Sequence, residues 1–381
     1  MNQRSGKPRR KVANRNVATA PQEIVDRLRL IRSQSVGPVT YHALLSRFGD
    51  AGRALQSLQD LARRGGRRVP LRLCSQCEAE DELAAAADLG AVAIDHTDSR
   101  YPAALVAIPD APPILYALGR VDLLARDMVG IVGARNASAV GLRFASDLAA
   151  DLGRHNLVVS SGLARGIDAA AHRGALDQGT VAVVAGGLDH IYPPENEDLF
   201  RQISDAGCVL SEMAPGTVAQ ARHFPRRNRI VSGVSRAVVV VEGAARSGSL
   251  ITARLAGEQG RDVLAVPGSP RDPRARGPNA LLRQGAAICE DVDDVLAALS
   301  LPRQFAAPKV VEPPHAGDLD EGVTDDARRI MLERLSVAPI GIDELARHCT
   351  MSATVVNATL LELELAGRVH RLPGHRVQLA A

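Results

Sequence analysis

Between about residue 80 and residue 300 the chain alternates short apolar runs with stretches of helical spacing. The runs at 128–132, 157–160, 180–185, 208–211, 237–241, 262–266 and 286–289 are short and mostly Val, Ile, Leu and Ala. A strand covered on both faces reads this way, because neither face meets water. Between several of them, 140–154, 168–177 and 250–259 place apolar residues at helical intervals, the last stopped by Gly260. Strand and helix in alternation predict an α/β fold with a doubly wound parallel sheet. Such sheets bind ligands at the carboxyl ends of their strands, so the loops there are the place to look for chemistry.

The pattern differs on either side of this extended Rossmann-like core, which spans 80–300. Residues 21–79 put Ile24, Leu28 and Ile31, then Ala43, Leu44, Leu45 and Phe48, on helix faces. Between the two groups, Ser35-Val36-Gly37-Pro38-Val39-Thr40 is a tight turn leading into a helix. It is similar to a SAM or helix-hairpin-helix module, which often holds DNA phosphate on backbone amides; plain helical packing is the favoured reading. Residues 301–322 are Pro-rich without periodicity and read as a linker. In 323–381, helices at 325–335, 342–349 and 352–366 precede a two-stranded wing at 367–377, a winged-helix pattern with 352–366 in the recognition position. That helix carries Glu362 and Glu364 and no Lys or Arg, so protein contact is expected there over duplex DNA. Residues 1–20 read as a disordered basic arm, with six Lys or Arg and no acid in the first 15.

Composition narrows the classes. The 381 residues are 46% hydrophobic and 23% charged, ordinary for a globular protein. No segment has the ~18 uninterrupted apolar residues of a membrane span, and the basic start lacks the apolar core of a secretory signal. The five cysteines are scattered, and Cys74 and Cys77 form a lone CxxC read as two unpaired thiols. A reducing cytoplasm is expected. The net charge of +3 gives no global basic field. Lysine occurs only at Lys7, Lys11 and Lys309, which excludes a Walker A lysine and a pyridoxal-phosphate Schiff base from the core.

The strand-end loops share one chemistry. The first carries Gly133, Arg135, Asn136 and Ser138; it is not GxGxxG. The second carries Ser161, Gly162, Arg165 and Gly166, then Asp168 and His172 at helical i, i+4 spacing. These two could pair, but a structural cap and its neighbour is favoured over a catalytic dyad. The third holds Gly186, Gly187 and Tyr192. The fourth is Ser247-Gly248-Ser249, opening a helix downstream of Arg226, Arg227, Asn228 and Arg229. A small-residue turn opening a helix presents free N–H groups and the positive end of the dipole, so an anion is expected, and the arginines make it phosphate. One phosphate at such an end gains about 0.3–1 kcal/mol, so several loops suit a chain of phosphates. No HExxH, GxSxG or carboxylate cluster of metal spacing occurs, so no catalytic residue, metal or cofactor is expected.

Taken together, the segments 132–141, 161–172, 186–196, 211–217, 224–235, 246–268 and 277–286 resemble the DNA-processing protein A (DprA, or Smf) family. The likeness runs continuously from about 90 to 290, and the helical front and winged-helix tail fit the family's three-part layout. The resemblance implies a cytoplasmic, non-catalytic protein that binds single-stranded DNA. It implies a homodimer that protects incoming strands and loads the RecA recombinase during natural transformation. By analogy, Arg135 contacts DNA phosphate, and Gly133, Ser161 and Gly162 line the pocket. Arg226, Arg227 and Arg229 fit the same electropositive surface, Ser247 and Ser249 orient the last helix start, and Arg165 and Asn228 contact DNA or brace loops. Aromatics are scarce (no Trp, four Tyr, five Phe), so phosphate is expected to dominate over base stacking. The rival is an enzyme like the lysine-decarboxylase-like nucleotide phosphoribohydrolases. Their signature turn is followed closely by a catalytic Glu; here no Glu follows Ser247 until Glu258.

Overall fold

The computed structural model describes residues 21–300, 323–372 and 374–380. Four helices come first: α1 (Gln22–Arg32), α2 (Pro38–Phe48), α3 (Ala51–Arg64) and α4 (Gln76–Asp88). Their buried stripes, Leu28 and Ile31 on α1, Leu44 on α2 and Leu58 and Leu61 on α3, share one apolar cluster. Each start has a local cause. Pro38 opens α2, the Asp50 carboxylate accepts the Arg53 amide at α3, and Ser75 with Glu78 forms a capping box at α4. α4 runs across the expected junction at residue 79, because its Ala-rich run holds no breaker until Gly90 at φ +76°. Cys74 is buried, Cys77 is exposed and both thiols are free.

The core continues as β1 (Val92–Asp95), α5 (Ala103–Val106), β2 (Ile114–Gly119), β3 (Met128–Val132), α6 (Ala139–Arg154), β4 (Val158–Ser161) and α7 (Ile167–Ala175). Next come β5 (Thr180–Val183), α8 (Glu197–Ala206), β6 (Cys208–Ser211), α9 (His223–Val234), β7 (Ala237–Val240) and α10 (Gly248–Glu258). β8 (Asp262–Ala265), α11 (Arg276–Arg283), β9 (Ala287–Ile288) and α12 (Val292–Ser300) finish it. The strands form one sheet in the order β1-β2-β6-β5-β4-β3-β7-β8-β9. From β6 to β9 all pairs are parallel; β1–β2 and β2–β6 are antiparallel. Every residue of β3 to β7 is buried, which explains their unbroken apolar runs. The chain steps outward from β3 to β6, then returns to lay β7 on the other side of β3. That reversal opens a crevice at the carboxyl ends of β3 and β7.

The winged-helix unit comprises α13 (Asp325–Arg334), β10 (Ile340–Gly341), α14 (Ile342–Cys349), α15 (Ala353–Leu365), β11 (Val369–Leu372) and β12 (Arg376–Leu379). It has its own core around Met331, Leu345, Leu360 and Val377. The sequence reads it as a separate unit, yet α15 packs on α3, and Leu361 and Leu365 join the apolar cluster of the helical front. Thr40 donates to Glu364 at 2.8 Å across the same contact. The basic arm and the linker of the sequence reading lie outside the described residues.

Candidate nucleic-acid interface

The loop after β3 and the loop after β4 are built as one piece. The Ile167 amide donates to the Ala134 carbonyl at 3.2 Å. Gly166 sits at φ +77°, and a Cβ there would lie 2.2 Å from Ala134 O. A Cβ on Gly133 would lie 2.6 Å from Ile167 Cγ1 and 3.0 Å from Glu242 O. Glycine at both positions is therefore what lets three loops meet. Arg135 and Asn136 are left exposed at the top of this junction.

α9 supplies the floor. The sequence reading takes 224–229 as a cluster of surface arginines, but these residues are helical and two of the guanidiniums point inward. Arg227 is buried; its Nη2 donates to Gly162 O at 2.7 Å. A Cβ on Gly162 would fall 1.6 Å from Arg227 Nη1, so glycine is required for the arginine to lie there. Burial pulls the Arg227 pKa down to about 10, against the opposing charge of nearby Asp168. Arg229 is the correction to the expected electropositive surface. Its side chain is only 6% exposed, paired with Glu212 and with the Asp110 carbonyl, and it ties α9 to the loop before β2. Arg226 is half-exposed and held by the other oxygen of Glu212 at 2.8 Å. Ser161 is likewise not a lining residue: it is fully buried and its hydroxyl donates to Ile131 O at 2.6 Å.

A shallow pocket results, bordered by Arg135, Gly162, Arg165, Tyr192, Phe224 and Arg227. The Arg135 guanidinium stands over the Phe224 ring at 5.5 Å, and the Tyr192 and Phe224 centroids are 5.4 Å apart. Tyr192 is 48% exposed, so an aromatic face does reach solvent beside the arginines. Arg165 is exposed and 3.4 Å from Glu195. Asn228 reaches Gly248 O at 3.4 Å and braces the start of α10. There Ser247 and Ser249 hydroxyls bond each other at 2.6 Å, while Gly248 faces open space.

The helix-terminus chemistry is not as the sequence suggests. Glu242 accepts both the Ser138 amide, at 2.9 Å, and its hydroxyl, at 2.6 Å, so a carboxylate already sits at the start of α6. Asp168 accepts the amides of Gly162 and Ala164 at 3.2 and 3.3 Å, filling the second loop with the chain's own anion. Two of the three expected phosphate cradles are thus closed internally, and the exposed positive charge at the pocket is guanidinium. Asp168 and His172 do not form a dyad. His172 Nδ1 bonds Thr180 Oγ1 at 2.7 Å, and burial pulls its pKa down to about 3, so the ring is neutral. Burial also raises the Asp168 pKa.

Residues 92–300 match the sequence model described as DNA recombination-mediator protein A. Residues 21–85 match the DprA-like N-terminal HHH domain, and 312–375 match the DprA winged helix domain. The chain belongs to the DprA family. A DNA processing protein DprA of Bacillus subtilis (strain 168) is 44% identical over 57% of this chain and 74% of its own length. A putative DNA processing protein DprA of Mycobacterium tuberculosis is 38% identical over 91% of this chain and 85% of its own. Among solved structures, DNA processing protein A from Helicobacter pylori superposes with a TM-score of 0.51 at 28% identity, covering 55% of this chain and 95% of that one. Its published description concerns a single-stranded DNA binding mode. DprA proteins are recombination mediators, and this chain shares their domain set in the same order.

Proposed function

We propose that the pocket at the carboxyl ends of β3, β4 and β7 binds single-stranded DNA. The observation that carries this is the exposed pair Arg135 and Arg165, above the buried Arg227 of the floor, around the Tyr192–Phe224 pair. Guanidiniums take phosphate, and a half-exposed ring offers a face to a base regardless of its identity. A duplex keeps its bases stacked inward and cannot use that ring. The single-strand binding described for the H. pylori relative supports the same reading. Asn136, Gly162 and Gly166 shape the path of the strand, Arg226 extends it along α9, and the Ser247–Ser249 turn borders it beside Asn228.

The role is that of a non-catalytic mediator. The buried carboxylates of this edge are each committed: Asp168 to loop amides and Glu212 to two arginines. Glu258, the first Glu after the α10 turn, is on the far end of that helix and paired with Arg254 at 3.3 Å. The chain acts in the cytoplasm as a homodimer through its Rossmann-like core, protects incoming strands and passes them to the RecA recombinase.

The test is fluorescence anisotropy of a labelled single strand over a range of salt. Arg135→Glu is expected to weaken binding about ten- to hundredfold, the worth of one or two charge-assisted contacts. Wild-type log affinity is expected to fall with log salt at about −0.7 per phosphate neutralised. Unchanged affinity in Arg135→Glu overturns the assignment.

A further inference from the structure

α15 holds the recognition position of a winged helix, yet its apolar face is covered by the helical front. Leu361 and Leu365 are buried with Leu58 and Leu61 of α3, and a Cβ on Gly65 would lie 2.1 Å from Glu362 O. The length of that helix from Ala358 to Leu363 is buried and closed to a DNA groove, which leaves only its first turn exposed. The seam between the two modules, however, is itself basic. α3 ends in Arg63-Arg64-Gly65-Gly66-Arg67-Arg68, and the turn from α15 to β11 brings Arg368. Arg67 and Arg368 cross: a Cβ on Gly367 would lie 3.7 Å from Arg67 Nη1, and one on Gly66 would lie 3.4 Å from Arg368 Nη1. Both glycines have positive φ, +74° at Gly367 and +95° at Gly66, so the two turns that set the arginines side by side are fixed by backbone.

Each module thus lays an arginine against the other's glycine turn. Among the described residues no carboxylate lies within ion-pair distance of Arg67, Arg68 or Arg368; Arg67 Nε donates to the Val69 carbonyl at 2.8 Å. Concave surface flanks the pair on both sides. One side also carries Asp325 and Glu333, paired with Arg328 and Arg329, and among the described residues no aromatic lines either side, so none there offers a ring to an unpaired base. Clustered guanidiniums without rings suit the outside of a nucleic acid, where only phosphate is presented. We propose that this seam is a second nucleic-acid site, taking the phosphate backbone of duplex DNA, distinct in residues and chemistry from the Rossmann-edge pocket. It exists only while the winged helix is docked, since each module contributes one arginine of the crossing pair.

The experiment titrates a labelled blunt duplex of about 20 base pairs and a short single strand against four full-length proteins. These are wild type, Arg67→Glu/Arg368→Glu, Arg67→Lys/Arg368→Lys and Arg135→Glu. The charge reversal is expected to weaken duplex binding at least about tenfold and to reduce the salt slope by about 1.8, or about 0.9 for each phosphate no longer neutralised. The lysine pair is expected to keep most of the duplex affinity, and the short single strand is expected to bind the charge-reversed protein as it binds wild type. The sites are surface ones, and equal thermal midpoints exclude misfolding. The proposal is overturned if wild type does not bind duplex, if charge reversal leaves affinity and slope unchanged, or if duplex binding is lost in Arg135→Glu instead. The single-strand assignment fails in a separate arm, the response of the single strand to Arg135→Glu.

Discussion

Arg227 and Gly162 are the pair on which the pocket floor rests. The guanidinium lies across the glycine, donates to its carbonyl at 2.7 Å and faces the buried Asp168. A single methyl at 162 would occupy the place of Nη1. In Gly162→Ala the arginine must leave, and Asp168 then keeps its burial without its counter-charge. Losing the buried arginine's charge-assisted hydrogen bond costs about 1.5–3 kcal/mol. The urea midpoint of Gly162→Ala is expected to fall accordingly, with single-strand affinity falling too; a midpoint equal to wild type would show that the contact does not hold the floor. The same residues show where the sequence stops being legible. Arg226, Arg227 and Arg229 read as a surface cluster because charge in sequence looks solvated. What buries two of them lies far along the chain: Gly162 is 65 residues away and Glu212 is 17. The expectation of open helix termini fails for a similar reason. Small-residue turns announce free amides, but the carboxylate that fills the α6 start is Glu242, 104 residues from Ser138.

At the scale of elements, legibility follows burial symmetry. β3 and β6 begin and end where their apolar runs do, because strands covered on both faces cannot hide their length. α9 carries no such signal: its inward face holds two arginines, and Pro225 in its first turn looks like a break although it needs no amide partner there. β1 and β2 escape the sequence reading because an antiparallel edge is defined by its partner more than by its composition. The winged helix is legible as a fold but not as a docked one. The contact between α3 and α15 depends on Gly65, whose missing side chain lets the end of α3 meet the α15 backbone. Gly65→Val is therefore expected to lift α15 away, exposing Leu361 and Leu365. Hydrogen exchange read by mass spectrometry is expected to quicken at least about tenfold in the last turn of α3 and in α15, with β3 to β7 unchanged, since local openings are separable from global unfolding. Equal exchange in the two proteins would mean the contact contributes little to order at this joint.

For the molecule as a whole, buried histidines set the response to acid. Burial pulls His172, beneath the pocket, down to about 3, and burial with the neighbouring Arg27 pulls His96 down to about 4. His42, also lowered by burial, bonds Ala111 O at 2.9 Å and stands 6.0 Å from the His96 ring. These last two lie where the helical front meets the antiparallel edge of the sheet. An unfolded chain protonates each histidine near 6.5. Between there and the folded values, the unfolded state binds protons that the folded state refuses, so stability rises with pH and is lost as pH falls. Each such group contributes a slope of about 1.4 kcal/mol per pH unit well inside its window. Asp168 works the other way: burial raises its pKa, so the folded state is the better proton acceptor between the free value and the raised one, which offsets part of the loss. The cleanest reading therefore comes between pH 6.5 and 5, where carboxylates of the unfolded chain are still largely ionised. Urea midpoints of wild type are expected to decline across that interval. His172→Gln, which keeps a polar group beside Thr180 but cannot titrate, is expected to decline less steeply by one histidine's share. A variant that follows the wild-type slope would place the acid sensitivity elsewhere, with His42 and His96 at the junction as the next pair to replace.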